Sequence, residues 1–482
     1  MKEVYIELTA FITGALVMIL EILGFRMFAP FFGYSVYVSG MLIGIILVAL
    51  ALGAYIGGIL SDRRPDVHLL FNILLIADAY LFLMAFFYGD VLRILSHTSI
   101  LTGTLLASLI LFAPPMALLG IVSPFLVKLA TSVHNVGFTV GKVTAIGTVG
   151  SIAGTFLATF YLIPFVGTHL TLYISSVLLL LLIVAALVSF RRHYAMFLLL
   201  LFLFNPKPVQ SEGNIVHQEE SAYNLIKVVD SGSQLYLKLN NQHWIQSAQS
   251  KDSLMTGYYY DYLNIAPMLT KGKDILILGM AAGTSALQFY DLFDAYIDGV
   301  EIDPKVVDIA HRYFNLPKDN EHFHTYVDDA RPFLLKSSKQ YDVIEVDMYQ
   351  GGVYVPFYVV TKEFFQLVFD HLKDGGVMIM NVYDPTVQQG DSIILNPIGA
   401  TVRTVFPSLF TMPVESNIVL LAMKQSTTKE QVNAVLESNT DAALASLAAY
   451  GKENLRPFSP HAPVLTDNQA PIEFLTYKAV NR

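Results

Sequence analysis

The 482-residue chain contains no cysteine, which excludes disulfides, thiolate catalysis and Cys-ligated metal. Its 39 acidic against 30 basic side chains give a net charge of −9, which argues against nucleic acid as a partner. The charge is unevenly spread: up to residue 204 there are seven acids and nine bases, beyond it 32 acids and 21 bases. The second part is therefore acidic and compatible with a cationic substrate.

Residues 1–204 carry apolar runs of roughly 20 residues, the length that crosses a hydrocarbon core about 30 Å thick. Spans are predicted at about 5–25, 38–60, 67–89, 100–127, 142–165 and 169–190, making this a transmembrane helical domain set in a lipid bilayer. Glu7 and Glu21 interrupt the first run, so it is not read as a cleavable signal. A seventh run, 194–204, rises about 17 Å as a helix and is too short to cross unaided. It also follows Arg191 and Arg192 in the manner of an export signal, so the count is six or seven spans. The basic clusters SDRR at 61–64 and RRH at 191–193 favour the cytoplasmic side. Glycines recur at four-residue spacing (Gly40 and Gly44, Gly53 and Gly57, Gly137 and Gly141, Gly150 and Gly154), a pattern read as close helix packing. Glu21, Arg26 and Asp78 lie in or near apolar runs and need partners there, Glu21 with Arg26 being read as one polar patch. Pro114-Pro115 predicts a kink.

Residues 205–217 read as a linker, and 218–250 alternate as strands with a turn between, a small β-hairpin module. Residues 251–482 form an α/β domain, opened by the aromatic stretch LMTGYYYDYLNIAPML. Its core, 274–303, runs DILILGMAAGTSALQFYDLFDAYIDGVEID: a buried-type strand, a small-residue turn, a helix, then a second strand ending in Glu301 and followed by Asp303. That order suits a Rossmann-like nucleoside site, since small residues let backbone approach the ligand and an acid at the second strand's tip can grip a ribose. Asp328 and Asp329 and then Asp347, closing VIEVD, bring further acids to the carboxyl ends of successive strands.

The order of hairpin, Tyr-rich helix, LILGMAAGTS, GVEID, YVDDARPFL, YDVIEVD and LKDGGVMIMNV resembles the spermidine synthase (aminopropyltransferase) family, whose fold is shared with methyltransferases. The first half, with ITGALVMILEILGFRMFAPFFG and ALGAYIGGILSDR, and the tail LTDNQAPIEF resemble the bacterial members fused to several membrane spans. The resemblance implies an integral protein of the bacterial cytoplasmic membrane; its α/β domain is expected in the cytoplasm, since adenosyl donors are made there and the 194–204 run is marginal as a span. It also implies a role in polyamine biosynthesis: transfer of an aminopropyl group from decarboxylated S-adenosylmethionine to a small-molecule amine or polyamine, with methylthioadenosine as product. By position, the turn containing Gly279, Ala282 and Gly283 would surround the methionine-like part of the donor. Glu301 would hold the ribose, and Asp329 with Ala330 would read the adenine. Asp347 would face the reaction centre, with Tyr259 or Tyr260 on the substrate side.

Two positions depart from the family pattern. The glycine loop usually carries an acid where this chain has Ala282, and the segment after the last catalytic strand a second acid where it has Gln350. Glu345, Asp384 and Asp467 are candidates to compensate. Asp467 is preferred because its tail can return over the crevice, and Glu345 is expected to alternate away from Asp347's side. Two other classes stay open: an S-adenosylmethionine-dependent methyltransferase on a membrane-associated substrate, and a non-catalytic transporter or sensor of polyamine or nucleoside. A homo-oligomer is also left open. Neither metal nor nicotinamide is called for, because no metal-ligand spacing and no full GxGxxG is present.

Overall fold

In the computed structural model, which describes residues 2–33, 35–131, 136–189, 214–240, 244–270, 272–349, 352–439 and 441–480, the apolar runs are helices. Six of them are long and apolar enough to cross a membrane: α1 (Glu3–Phe32), α2 (Val36–Arg63), α3 (Val67–Leu95), α4 (Ile100–Ala130), α5 (Val136–Val166) and α6 (Thr168–Ser189). The run at 194–204, the RRH cluster and most of the expected linker lie outside the described residues. The kink expected at Pro114-Pro115 is a π-helical segment, Ser108–Phe112, directly before the two prolines, which then occupy the first turn of the helix that follows. Proline lacks the N–H and crowds the preceding turn, and a wider turn accommodates both.

The glycine pairs divide into two kinds. A Cβ on Gly53 would lie 2.0 Å from the Ala117 carbonyl oxygen of α4, and one on Gly150 would lie 2.0 Å from that of Phe11 of α1. A Cβ on Gly57 would lie 2.8 Å from Ile121 backbone and one on Gly154 2.3 Å from the Ala15 carbonyl oxygen, so these two pairs let backbones touch. Gly40, Gly44, Gly137 and Gly141 face open space. Asp78, 3% exposed, accepts a 2.8 Å hydrogen bond from Ser176, which answers part of the need that a buried carboxyl has in an apolar bundle.

The chain divides into two compact units, residues 1–211 with 220–222, and 212–219 with 223–482. The second begins with a four-stranded sheet in the order β1 (Ile215–Glu220), β2 (Leu225–Asp230), β3 (Gln234–Leu239) and β4 (Ser247–Ser250). The expected hairpin is β2 and β3, antiparallel with Val228 opposite Leu237. Two further strands join it, and β1 starts within the stretch read as linker.

Two short helices, α7 (Tyr260–Leu263) and α8 (Ile265–Leu269), lead into an eight-stranded sheet of order β12-β10-β11-β9-β8-β5-β6-β7. Five of its strands are parallel: β5 (Asp274–Leu278), β6 (Tyr296–Glu301), β7 (Phe323–Val327), β8 (Tyr341–Val346) and β9 (Leu372–Tyr383). Strand β11 (Asn417–Met423) pairs antiparallel with β9, β10 (Ser408–Val414) antiparallel with β11, and β12 (Arg456–Pro457) antiparallel with β10. Crossover helices α9 (Thr284–Phe293), α10 (Pro304–Tyr313), α11 (Ala330–Lys336) and α12 (Lys362–Asp370) follow β5, β6, β7 and β8. The sheet is covered on both faces, which is why its central strands are mostly apolar. One layer of the core gathers Ile275, Ile277, Val343 and Ile379 under α9, and the other gathers Leu276, Leu278, Ile344 and Met380. The chain leaves β5 toward β6 and β7, then returns to β8 on the other side of β5. That reversal opens a crevice at the carboxyl ends of β5 and β8, the usual place for a ligand in such a sheet.

Candidate active site

The turn after β5 is built for close approach. Gly279, Ala281 and Gly283 all have positive φ, at 86°, 49° and 81°. A side chain at Gly279 would drive its Cβ to 2.3 Å from the Asp347 carbonyl oxygen, so the residue is fixed by space as well as by conformation. Ala282 is buried, and its N–H donates to Ser247 at 2.9 Å, tying the turn to β4.

At the tip of β6, Glu301 accepts from the N–H groups of Ala281 (2.9 Å) and Asp303 (3.0 Å). The glutamate thus braces the turn from the neighbouring strand. Burial pushes its carboxyl up to about 7, against the pull of these backbone donors. Asp303 caps α10, accepting from Lys305 N–H with Pro304 in the first turn. Asp329 caps α11 in the same way, accepting from Arg331 N–H at 3.0 Å, and its other oxygen takes the Tyr358 hydroxyl at 2.9 Å. Ala330 is buried at the start of that helix. These two aspartates therefore have cap roles whatever else they meet.

Asp347 stands one residue beyond β8, its N–H on the Leu278 carbonyl at 3.0 Å. The β8–β9 register pairs Val346 with Met380, which sets Asp347 level with Asn381. Asn381 donates to one carboxylate oxygen at 3.1 Å, and the Tyr259 hydroxyl donates to the other at 2.6 Å. Desolvation raises the Asp347 carboxyl to about 6, although both donors favour its charged form. The same charge, with burial ahead of it, holds the Tyr259 hydroxyl well above its ordinary value, so it remains a donor. The structure thus separates the two tyrosines that the sequence left equivalent. Tyr260 lies against Tyr259 with the rings tilted 35° and their centroids 4.1 Å apart, and sends its own hydroxyl to the Ile245 carbonyl at 3.4 Å.

Three sequence expectations change. Glu345 does not alternate away from Asp347: residues two apart on a strand share a face, and Asp347's charge is, after burial, a cause of the rise of the Glu345 carboxyl to about 8. Asp467 does return to the domain, but its carboxylate is taken by Arg331, at 2.8 and 2.5 Å, and by the Thr361 hydroxyl at 2.7 Å. Arg331 keeps that carboxyl below the usual range. Asp384 is fully buried and satisfied by Thr386 and by the N–H groups of Ile394 and Leu395, so it orders its own loop. Gln350 lies outside the described residues. Asn381 and Ser247 are the site residues that sequence reasoning missed; Asn381 is found only by counting register across β8 and β9.

Residues 258–435 match the family model for the spermine/spermidine synthase domain. A probable polyamine aminopropyl transferase of Bifidobacterium longum (strain NCC 2705) is 32% identical over 293 residues, covering 56% of this chain and 64% of the relative. A polyamine aminopropyltransferase of Vibrio vulnificus (strain CMCP6) is 29% identical over 272 residues, covering 54% of this chain and 87% of the relative. Among solved structures, a probable spermidine synthase from Corynebacterium glutamicum aligns at 18% identity and a TM-score of 0.40, over 54% of this chain and 100% of that one. The chain thus spans somewhat less than two thirds of the Bifidobacterium relative. Its residues 258–435 are similar to a spermine/spermidine synthase domain, and the chain is similar to polyamine aminopropyltransferases.

Proposed function

We propose that this chain transfers an aminopropyl group from decarboxylated S-adenosylmethionine to an amine, releasing methylthioadenosine. The observation that carries the reading is the Asp347 carboxylate, held by Tyr259 and Asn381 beside the turn that follows β5. In this reading Glu301 takes the ribose hydroxyls, the turn of Gly279, Ala282 and Gly283 meets the donor's sulfonium end, and Asp329 with Ala330 lies toward the adenine. The strand order β8-β5-β6-β7 supports that layout by setting the three acids in the same sequence as the parts of the donor.

The acceptor nitrogen attacks the methylene carbon on the sulfonium sulfur. The carbon–sulfur bond breaks with its electron pair passing to sulfur, and the proton lost by nitrogen goes to Asp347. Asp347 orients the neutral amine and accepts its proton, and the remainder of the rate comes from proximity. Tyr259 fixes the carboxylate's rotamer and stabilises its charged form. The membrane helices suit an integral protein of the bacterial cytoplasmic membrane, and a donor made in the cytoplasm calls for the α/β domain on that side. Reporter fusions after residue 214 check this: an active alkaline phosphatase there, with a dark cytoplasmic reporter, would remove the donor supply and the proposal with it.

The direct assay incubates the purified chain with decarboxylated S-adenosylmethionine or with S-adenosylmethionine, each with a panel of amines. Methylthioadenosine release with an amine supports aminopropyl transfer. S-adenosylhomocysteine release in its place would make the chain a methyltransferase. Silence from both donors, in protein that still binds the nucleoside, would leave a sensor or transporter.

A further inference from the structure

Strand β8 crosses the middle of the sheet, and from Val343 onward its odd-numbered side chains face the α9 layer. Its cross-strand neighbours at position 345 are Ile277 on β5 and Ile379 on β9, so Glu345 puts a carboxyl into a row otherwise filled by isoleucine. Glu345 is 2% exposed. Ser285, in the first turn of α9, donates to its Oε1 at 2.8 Å, while the buried Oε2 meets no donor among the described residues. On the same face of the next strand, the buried Oδ1 of Asn381 also lacks a donor. A carboxyl left half-satisfied in a sheet core is costly, and an apolar residue of its size would fill the same row at no such penalty. These two acceptors without donors, on adjacent strands, together with the Asp347 carboxylate make three acceptors for the three N–H bonds of a primary ammonium.

The strand order says which end of a ligand they meet. Glu301 on β6 and Glu345 on β8 flank the β5 turn on opposite sides, so a nucleoside gripped at Glu301 sends its other end across the turn toward β8. The turn itself, Gly279 to Ser285, contains no acid. We propose that Glu345 is a specificity-determining residue of this site, its free oxygen receiving the primary ammonium at the end of the donor's three-carbon arm. This rests on the aminopropyl-transfer reading. The unliganded carboxyl, held up by burial and by Asp347, rests largely neutral, and the arriving ammonium supplies the countercharge that ionises it.

The test is calorimetry on the full chain with two sulfoniums that differ only in the amine: decarboxylated S-adenosylmethionine and its analogue with a propyl arm. The wild type is expected to prefer the amine by more than tenfold. Glu345→Gln should cut that preference at least tenfold while the propyl analogue binds as before, and Glu345→Asp should keep part of it. A wild-type preference within threefold overturns the inference without needing any variant to fold. An unchanged preference in Glu345→Gln, or an equal loss for both ligands, overturns it too, the latter marking a structural role. If the wild type binds neither sulfonium, the aminopropyl-transfer reading falls and this inference with it; binding of both with an unaltered ratio sinks this inference alone.

Discussion

Asp347→Asn separates chemistry from binding. The wild-type carboxylate accepts from Tyr259 at 2.6 Å and from Asn381 at 3.1 Å, and its value of about 6 makes it about 90% ionised at pH 7. The substitution keeps volume and one acceptor oxygen for Tyr259. Its new NH₂ group would oppose the Asn381 donor, but Asn381 can turn its amide, because its Oδ1 has no other partner. The ground-state site should therefore survive. What is lost is the charge that orients the amine and the base that takes its proton, a loss of about 10² to 10⁴ in turnover, or about 3 to 5 kcal/mol of barrier. Methylthioadenosine release is the assay, with calorimetry for the nucleoside. The wild-type rate should also fall about tenfold per pH unit below about 6, since protonated Asp347 is inactive. A variant within threefold of wild type at pH 7.5, or a wild-type profile flat from pH 7 to 5, would refute the assignment of the base.

Tyr259→Phe removes the hydrogen bond that lowers Asp347's value, so the acid limb of the rate profile should move to higher pH; a limb that stays in place denies the coupling. Glu301→Gln should weaken binding of methylthioadenosine by about 1 to 3 kcal/mol, the range for a lost charge-assisted hydrogen bond, and unchanged calorimetric affinity would end the ribose assignment. Gly279→Ala forces a Cβ to within 2.3 Å of the Asp347 carbonyl at φ 86°, and should lower domain stability by about 2 kcal/mol or more, read from thermal denaturation. Burial holds Glu301 up at about 7 and Glu345 at about 8, so the folded chain binds protons that the unfolded chain, near 4.5, releases. The stability of the unliganded domain should therefore be highest below about pH 5 within this window and fall as pH rises to about 8; a melting temperature that climbs over this range contradicts the burial of these carboxyls.

Periodicity and length made the membrane helices legible, because crossing a bilayer demands about 20 apolar residues whatever the helices pack against. The β5–β6 stretch was legible for a similar local reason. A turn that admits a ligand needs residues such as Gly279 and Gly283, and the acid Glu301 has only the strand tip to occupy. Which glycine pairs are used inside the bundle was decided by neighbours far along the chain: Gly53 meets Ala117 and Gly150 meets Phe11, whereas Gly40 and Gly137 meet nothing among the described residues. The choice between Tyr259 and Tyr260, and the part played by Asn381, depend on a hydroxyl's reach and on strand register, neither of which is a property of a local segment. Asp467 illustrates the same limit. Its tail was read as returning to the crevice, yet its partner is Arg331, because a carboxylate goes to the strongest donor fork the tertiary fold brings within reach. The sequence by itself determined which segments are long and apolar enough to cross a membrane and which stretch forms the small-residue turn after β5. Only the packing of β8 between β5 and β9 decided what these acids meet, Ile277 and Ile379 beside Glu345 and Asn381 beside Asp347, since a side chain's neighbours across a sheet are set by pairing rather than by its place in the chain.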